Sequence, residues 1–327
     1  MSARLATAVA DDLERIEELR RLLPEVRAYV RRHLPAEWPD LTHALGAVVD
    51  GPCGPRPLLP LAACAAVGGE ARRAVPVAAA WEVAFVAGGI LDDLQDQDRE
   101  AVWSSVGEGR AFNFSAALFA FAPKLLVEAP WPDSRVVAVC RSFHEETMHL
   151  FAGQDRDLRG ETRTLDDYWL TIGTKTANAF AWACGAGALC GCEEPELVRA
   201  CRAYGYHLGL ALQILDDFQG LWEPVGTGDL ANGKVTLPLL YGLSVEHGWR
   251  EELQAIADGE ELAAEAERVR KILDEIGARD YVVWVCLQER DRALAALERC
   301  PGATGVTVLT AYATTIFARL TEVTSHA

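Results

Sequence analysis

The stretch from Val75 to Asp96, VPVAAAWEVAFVAGGILDDLQD, is apolar on almost every side of a helical wheel and then breaks into carboxylates. A helix that is apolar all round has no face to give to water, so other elements must surround it. The chain has 327 residues, half of them apolar, which is enough to build such a core. Helical periodicity elsewhere supplies the neighbours. DDLERIEELRRLL reads as an opening amphipathic helix, broken or kinked near Pro24. DSRVVAVCRSFHEETMHLFAGQDRDL and PELVRACRAYGYHLGLALQILDDFQGLW read as long helices. TLDDYWLTIGTKTANAFAWACGAGALCG starts with a threonine cap and acids in its first turn. GEELAAEAERVRKILDEIG is amphipathic with interleaved charges. GVTVLTAYATTIF is rich in β-branched residues but reads as a helix, because a lone strand has no partner. The expected class is all-α, a bundle of about ten or more helices around a central apolar pocket. With no linker-like composition shift, residues 1–327 read as one domain.

The formal net charge of −17 argues against nucleic acid and anionic membrane surfaces as partners. An anionic substrate then needs a local basic cluster or a metal bridge. Nine cysteines lack disulfide-framework or zinc spacing and read as free buried thiols, Cys190 and Cys192 included. That pattern fits a reducing, cytoplasmic setting. No signal peptide is evident, and no uninterrupted apolar run reaches the ~18–20 residues that span a bilayer.

The Asp-Asp dipeptide occurs four times. Asp11–Asp12 and Asp166–Asp167 stand near helix starts, where the helix dipole stabilises acids. Asp92–Asp93 and Asp216–Asp217 instead follow apolar helical runs, where burying a charge costs several kcal/mol unless something compensates. Residues four apart share a helix face, so Asp96 stacks on Asp92 with Asp93 beside it, and Gln213 lies one turn before Asp216 and Asp217. If the two helices face each other, their ends form an all-oxygen site of the kind Mg²⁺ takes together with substrate phosphates. Magnesium on a diphosphate neutralises the charge that develops as it leaves.

These motifs resemble the trans-isoprenyl diphosphate synthase, or polyprenyl synthetase, family. DDxxD is intact at Asp92, Asp93 and Asp96, and the second motif reads QILDDFQG. GDLANGKVTLPLLYG carries Lys234, GTKTANAF carries Lys175, and AGQDRDL carries Gln154. GPCGPRPLL is similar to the family's G-G-K-R-x-R-P. The resemblance implies an isoprenoid synthase-type bundle around a deep pocket, working as a homodimer, with three Mg²⁺ bound beside an allylic prenyl diphosphate. It implies that Lys175 and Lys234 contact that diphosphate. The wall of the pocket is read as Trp81, Ala84, Phe85, Ala87 and Gly88, with Gln154 added by its motif. Ala84 and Gly88 share the face of Asp92, and their small side chains leave room for an apolar tail or allow close helix packing.

Three departures bear on the acceptor. Cys53 and Gly54 stand where the family has Lys and Arg, leaving only Arg56. Arg99 stands alone after the first aspartates, where the family has an Arg pair. Gly220 replaces the third aspartate of the second motif. Each lost charge-assisted contact to an anion is worth roughly 1.5–3 kcal/mol, so free isopentenyl diphosphate should bind poorly. The expected activity is therefore prenyl transfer to another acceptor, such as an aromatic ring or a peptide. DDLQDQD resembles the ComQ peptide-prenylating branch. The alternatives are a class I terpene cyclase, a true chain-elongating synthase using Arg56, Arg99 or Arg110, and a non-catalytic regulatory subunit.

Overall fold

The structure is a computed structural model that describes residues 3–45, 55–95, 106–223, 228–230, 233–259, 264–318 and 320. Among these residues every regular element is helical. In chain order the helices are α1 (Ala3–Arg20), α2 (Leu23–His33), α3 (Pro39–Ala44), α4 (Leu58–Ala66), α5 (Val75–Gln95), α6 (Glu108–Val127), α7 (Asp133–Leu158) and α8 (Leu165–Ile172). They continue with α9 (Asn178–Gly191), α10 (Pro195–Trp222), α11 (Leu237–Ser244), α12 (Arg250–Asp258), α13 (Ala266–Glu275), α14 (Ala278–Ala296) and α15 (Ala303–Ile316). The β-branched segment is helical, as α15. Pro24 does not kink a helix interior; it sits in the first turn of α2, where its missing N–H costs nothing. The acidic stretch before Ala266 contributes no earlier helical turn among its described residues, so α13 is shorter than its periodicity suggests.

The chain divides into two compact units. One comprises Met1–Glu146, Trp182–Arg202 and Leu297–Tyr312; the other comprises Thr147–Ala181, Ala203–Ala296 and Ala313–Ala327.

In the first unit, α5 packs along α6, and the Ser115 hydroxyl donates to the Ala87 carbonyl at 2.7 Å. Residues 71–95 are long and apolar enough to cross a membrane by length and composition alone, despite Glu82. Val75–Val83 are nevertheless all buried, which marks α5 as a core helix. Beside it, α4 is buried along nearly its whole length. Its backbone is approached by glycines: a Cβ at Gly187 would lie 2.3 Å from the Pro60 oxygen, and one at Gly305 would lie 2.2 Å from the Ala62 oxygen.

The second unit has a core of Leu221, Leu230, Leu239, Leu253, Val269, Ile272 and Leu273. Helix α8 opens with the expected cap. The Thr164 hydroxyl accepts from the Asp167 N–H at 3.1 Å, while the Asp167 carboxylate accepts from the Thr164 N–H at 3.0 Å. The Thr164 hydroxyl also holds the Asp167 carboxyl below the usual range, so this acidic pair serves helix initiation. Between α8 and α9, Gly173–Ala177 form a π-helical turn.

Candidate active site

In the first unit the residues expected from sequence lie along α5, with Asp92 and Asp93 in its last turn. Asp92 and Asp93 are partly exposed, as are Ala84, Phe85 and Gly88. Trp81 and Ala87 are buried in the core, and Ala87 is tied to α6 through Ser115. A Cβ at Gly88 would meet nothing within 4 Å. Close helix packing therefore does not account for this glycine, one turn before Asp92. Gly88→Ala is expected to raise stability by about 0.5–1 kcal/mol, because alanine loses less backbone freedom in a helix.

Arg56 also lies in this unit. Its guanidinium donates to the Glu82 carboxylate at 3.2 Å and stacks 3.9 Å above the Phe85 ring. Glu82 is 8% exposed, whereas the Arg56 side chain remains partly exposed. Arg110 pairs at the surface with Asp40 at 2.7 Å. Asp96 and Arg99 lie outside the described residues, as do Cys53 and Gly54.

In the second unit, α7 and α10 close on the π-helical turn. Gly153 on α7 lies against it, since a Cβ there would sit 2.5 Å from the Lys175 nitrogen. Gln154 is buried beside that contact. A Cβ at Gly209 on α10 would sit 2.7 Å from the Ala177 Cα, so α10 approaches the same turn one helical turn before Gln213. The wider π turn carries Lys175 and Thr176. Lys175 Nζ pairs with Asp157 at 2.7 Å. The Thr176 hydroxyl donates to Gln213 Oε1 at 2.8 Å. Periodicity did not single out Thr176 or Asp157, although both lie within the motifs carrying Lys175 and Gln154.

The two aspartates of the second motif have different environments. Asp216 is exposed. Asp217 is 4% exposed and accepts from the Tyr168 hydroxyl at 2.7 Å and the Leu237 N–H at 3.0 Å. Burial pushes its carboxyl up to about 7, against the opposing hydrogen bonds from Tyr168 and Leu237. Asp217 thus ties α8 and the start of α11 to α10, while Asp216 faces solvent. Tyr168, forty-nine residues before Asp217, has no pattern in the sequence that marks it as a partner.

Because the folded carboxyl holds its proton up to about pH 7 and the unfolded one only to about 4, the native state loses stability as pH rises through that window. Asp217→Asn keeps an acceptor for both donors and is expected to remove that slope. Asp217→Ala leaves Tyr168 and the Leu237 N–H without it and is expected to cost about 2–4 kcal/mol. Urea unfolding at pH 4 and pH 7.5 reads both effects.

Among the described residues, no three His, Cys, Asp or Glu side chains are grouped closely enough to hold an ion alone. Asp92, Asp93 and Asp216 each offer hard oxygen ligands, and Mg²⁺ characteristically uses one or two carboxylates plus substrate phosphates. Lys234 is exposed, and its backbone N–H donates to the Asp229 carbonyl at 2.9 Å.

Residues 43–276 match the polyprenyl synthetase family. The farnesyl diphosphate synthase of Mycobacterium tuberculosis is 34% identical over 244 residues, 70% of this chain and 66% of that protein, just under two thirds of the relative's length. The geranylgeranyl diphosphate synthase of the same organism is 34% identical over 260 residues, 74% of this chain and 73% of that protein. A solved polyprenyl synthase of Caulobacter crescentus, complexed with calcium and isoprenyl diphosphate, superposes with a TM-score of 0.74 at 26% identity, covering 97% of each chain. The motifs from Asp92 to Lys234 lie inside the matched region, and the chain belongs to the polyprenyl synthetase family.

Proposed function

We propose that this chain is a magnesium-dependent prenyltransferase that ionises an allylic prenyl diphosphate and delivers the prenyl cation to an acceptor other than free isopentenyl diphosphate. Arg56 carries the acceptor reading. It is the cation left in the altered G-P-C-G-P-R-P stretch, and its charge is already met by Glu82 and the face of Phe85. Recruiting it for a second diphosphate would break that pair and strand a buried carboxylate, which is costly.

In this reading Asp92, Asp93, Asp96 and Asp216 hold magnesium, and Lys175, Lys234 and Gln213 contact the diphosphate. The calcium and isoprenyl diphosphate of the Caulobacter protein support a divalent ion on this substrate class. Bound magnesium neutralises charge that develops on the diphosphate as the carbon–oxygen bond breaks. Lys175 and Lys234 add point charges to the same oxygens. Asp217 acts through its hold on Tyr168 and α11, which keeps the acidic turn of α10 in place. The open face at Gly88 receives the prenyl tail, and apolar walls keep water from the cation. The chain works as a single catalytic domain in a homodimer.

Incubation with Mg²⁺ and geranyl, farnesyl or geranylgeranyl diphosphate, with and without isopentenyl diphosphate, tests the reading. Pyrophosphate release that isopentenyl diphosphate does not accelerate is the expected result. Release that depends on an added aromatic or peptide acceptor would identify the acceptor class. A second reading, chain elongation, is favoured by the names of the mycobacterial relatives. A longer linear diphosphate formed only with isopentenyl diphosphate would establish it.

A further inference from the structure

Two cysteines of the first unit come together although they stand ninety-nine residues apart. Cys201 lies in the second turn of α10 and is fully buried. Cys300 lies outside any helix, on the link between α14 and α15, and is partly exposed. Both are held against the same end of α4. The Cys201 sulfur lies 3.8 Å from the Ala63 carbonyl oxygen. Two residues after Cys300, the Gly302 N–H donates to the Ala66 carbonyl at 2.8 Å, and a Cβ at Gly302 would lie 1.8 Å from the Ala65 oxygen. The Cys300 N–H donates to the Leu297 carbonyl at 2.9 Å, so the link is fixed on both sides of the thiol. Between these anchors the two side chains are hydrogen-bonded to each other.

That hydrogen bond makes the two sulfurs chemically unequal. It holds the Cys300 thiol below its ordinary value, against the opposing effect of burial. It pushes the Cys201 thiol up, in the same direction as burial. Burial likewise pushes the thiols of Cys64 and Cys286 up to about 12. The thiolate is the reactive form of cysteine, so the pair sets an accessible attacking sulfur in front of a sheltered one.

We propose that Cys300 and Cys201 form a reversible disulfide, with Cys300 the attacking sulfur and a hydroperoxide the oxidant. The Cys300 thiolate attacks the terminal peroxide oxygen, the O–O bond breaks, and the departing oxygen takes a proton and leaves as an alcohol, or as water from hydrogen peroxide. Cys300 is left as a sulfenic acid. The Cys201 sulfur then attacks the Cys300 sulfur, forming the S–S bond and releasing water. In sum the two thiols give up two electrons and two protons, and the peroxide is reduced. A dithiol reductant restores both thiols by exchange. The bond ties the start of α10 to the link before α15 and closes a long loop of chain, which restricts the unfolded state and stabilises the folded one.

The test treats the full chain, reduced with dithiothreitol and then freed of it, with hydrogen peroxide. Remaining thiols are alkylated, and peptides are mapped by mass without reduction. The expected result is a peptide pair joining Cys201 to Cys300, with two of the nine cysteines lost to alkylation and both recovered with dithiothreitol. The oxidised chain should melt about 5–10 °C higher than the reduced one. Cys300→Ser should abolish the bond and the shift, and Cys201→Ser should leave a sulfenic acid on Cys300 that dimedone labels. Absence of the Cys201–Cys300 peptide from the peroxide-treated native chain would overturn the proposal. So would a bond that joins either cysteine chiefly to Cys64 or Cys192, or dimedone labelling of Cys201→Ser chiefly at a cysteine other than Cys300. The native chain supplies the first two of these readings, so they hold whether or not either variant folds.

Discussion

Replacing Asp216 with alanine is expected to lower turnover by roughly three orders of magnitude, about 4 kcal/mol of lost transition-state stabilisation, with little change in stability. The asymmetry follows from where the side chain lies. Asp216 is exposed on α10, so its removal makes no cavity, and surface substitutions of this kind usually fall within about 0.5 kcal/mol. Asp92, partly exposed at the end of α5, should respond in the same way. The neighbouring Asp217 gives the contrast, because its removal should cost stability through Tyr168 and Leu237. Pyrophosphate release from an allylic diphosphate, measured beside thermal melting, separates the two behaviours. Activity in Asp216→Ala within tenfold of the native chain would contradict its assignment as a metal ligand.

The largest effect on stability is expected around α4. Its residues from Leu58 to Cys64 and Ala66 are buried, and Gly187 on α9 and Gly305 on α15 reach its backbone directly. A Cβ at Gly305 would sit 2.1 Å from the Ala66 nitrogen, and one at Gly187 would sit 2.6 Å from the Pro60 Cα. These atoms are main chain, so no rotamer change relieves the overlap, and the helices must separate. Gly187→Ala and Gly305→Ala should each cost about 3 kcal/mol, at or above the usual upper range for overpacked cores. Because both press on α4, the double variant should cost less than the sum once the first has moved the helix. Guanidinium unfolding of the two single variants and the double checks this, and a loss under about 0.5 kcal/mol in both single variants would contradict it. By comparison Gly88, with open space around it, should accept alanine with a gain.

These cases show what can be read from residues in order. The bounds of α7 and α10 follow from periodicity and from Asp133 and Pro195 at their starts, because those signals are local. The π-helical turn at Gly173–Ala177 is invisible by the same reasoning, since one extra residue in a turn leaves the apolar pattern on both sides intact. The short segment from Cys184 to Cys192 is recognisably small and apolar, yet Gly187 and Gly191 gain their meaning from α4, which lies more than a hundred residues earlier. The acids were legible as motifs. The separation of an exposed Asp216 from a tethered Asp217 was not, because it depends on Tyr168 and on the backbone at Leu237. Likewise Gly220 was visible as a departure from the family pattern, but only the fold shows the Asp229 carboxylate lying over it.

The central proposal is that the aspartates of the two motifs grip magnesium and, through it, the leaving group of a prenyl substrate. Titration of pyrophosphate into the native chain, with and without Mg²⁺, and into Asp92→Ala and Asp216→Ala tests it most directly. The account predicts tight binding only with the metal present, lost in each variant. Pyrophosphate binding that is equally tight without magnesium, or unaffected by both substitutions, would contradict it.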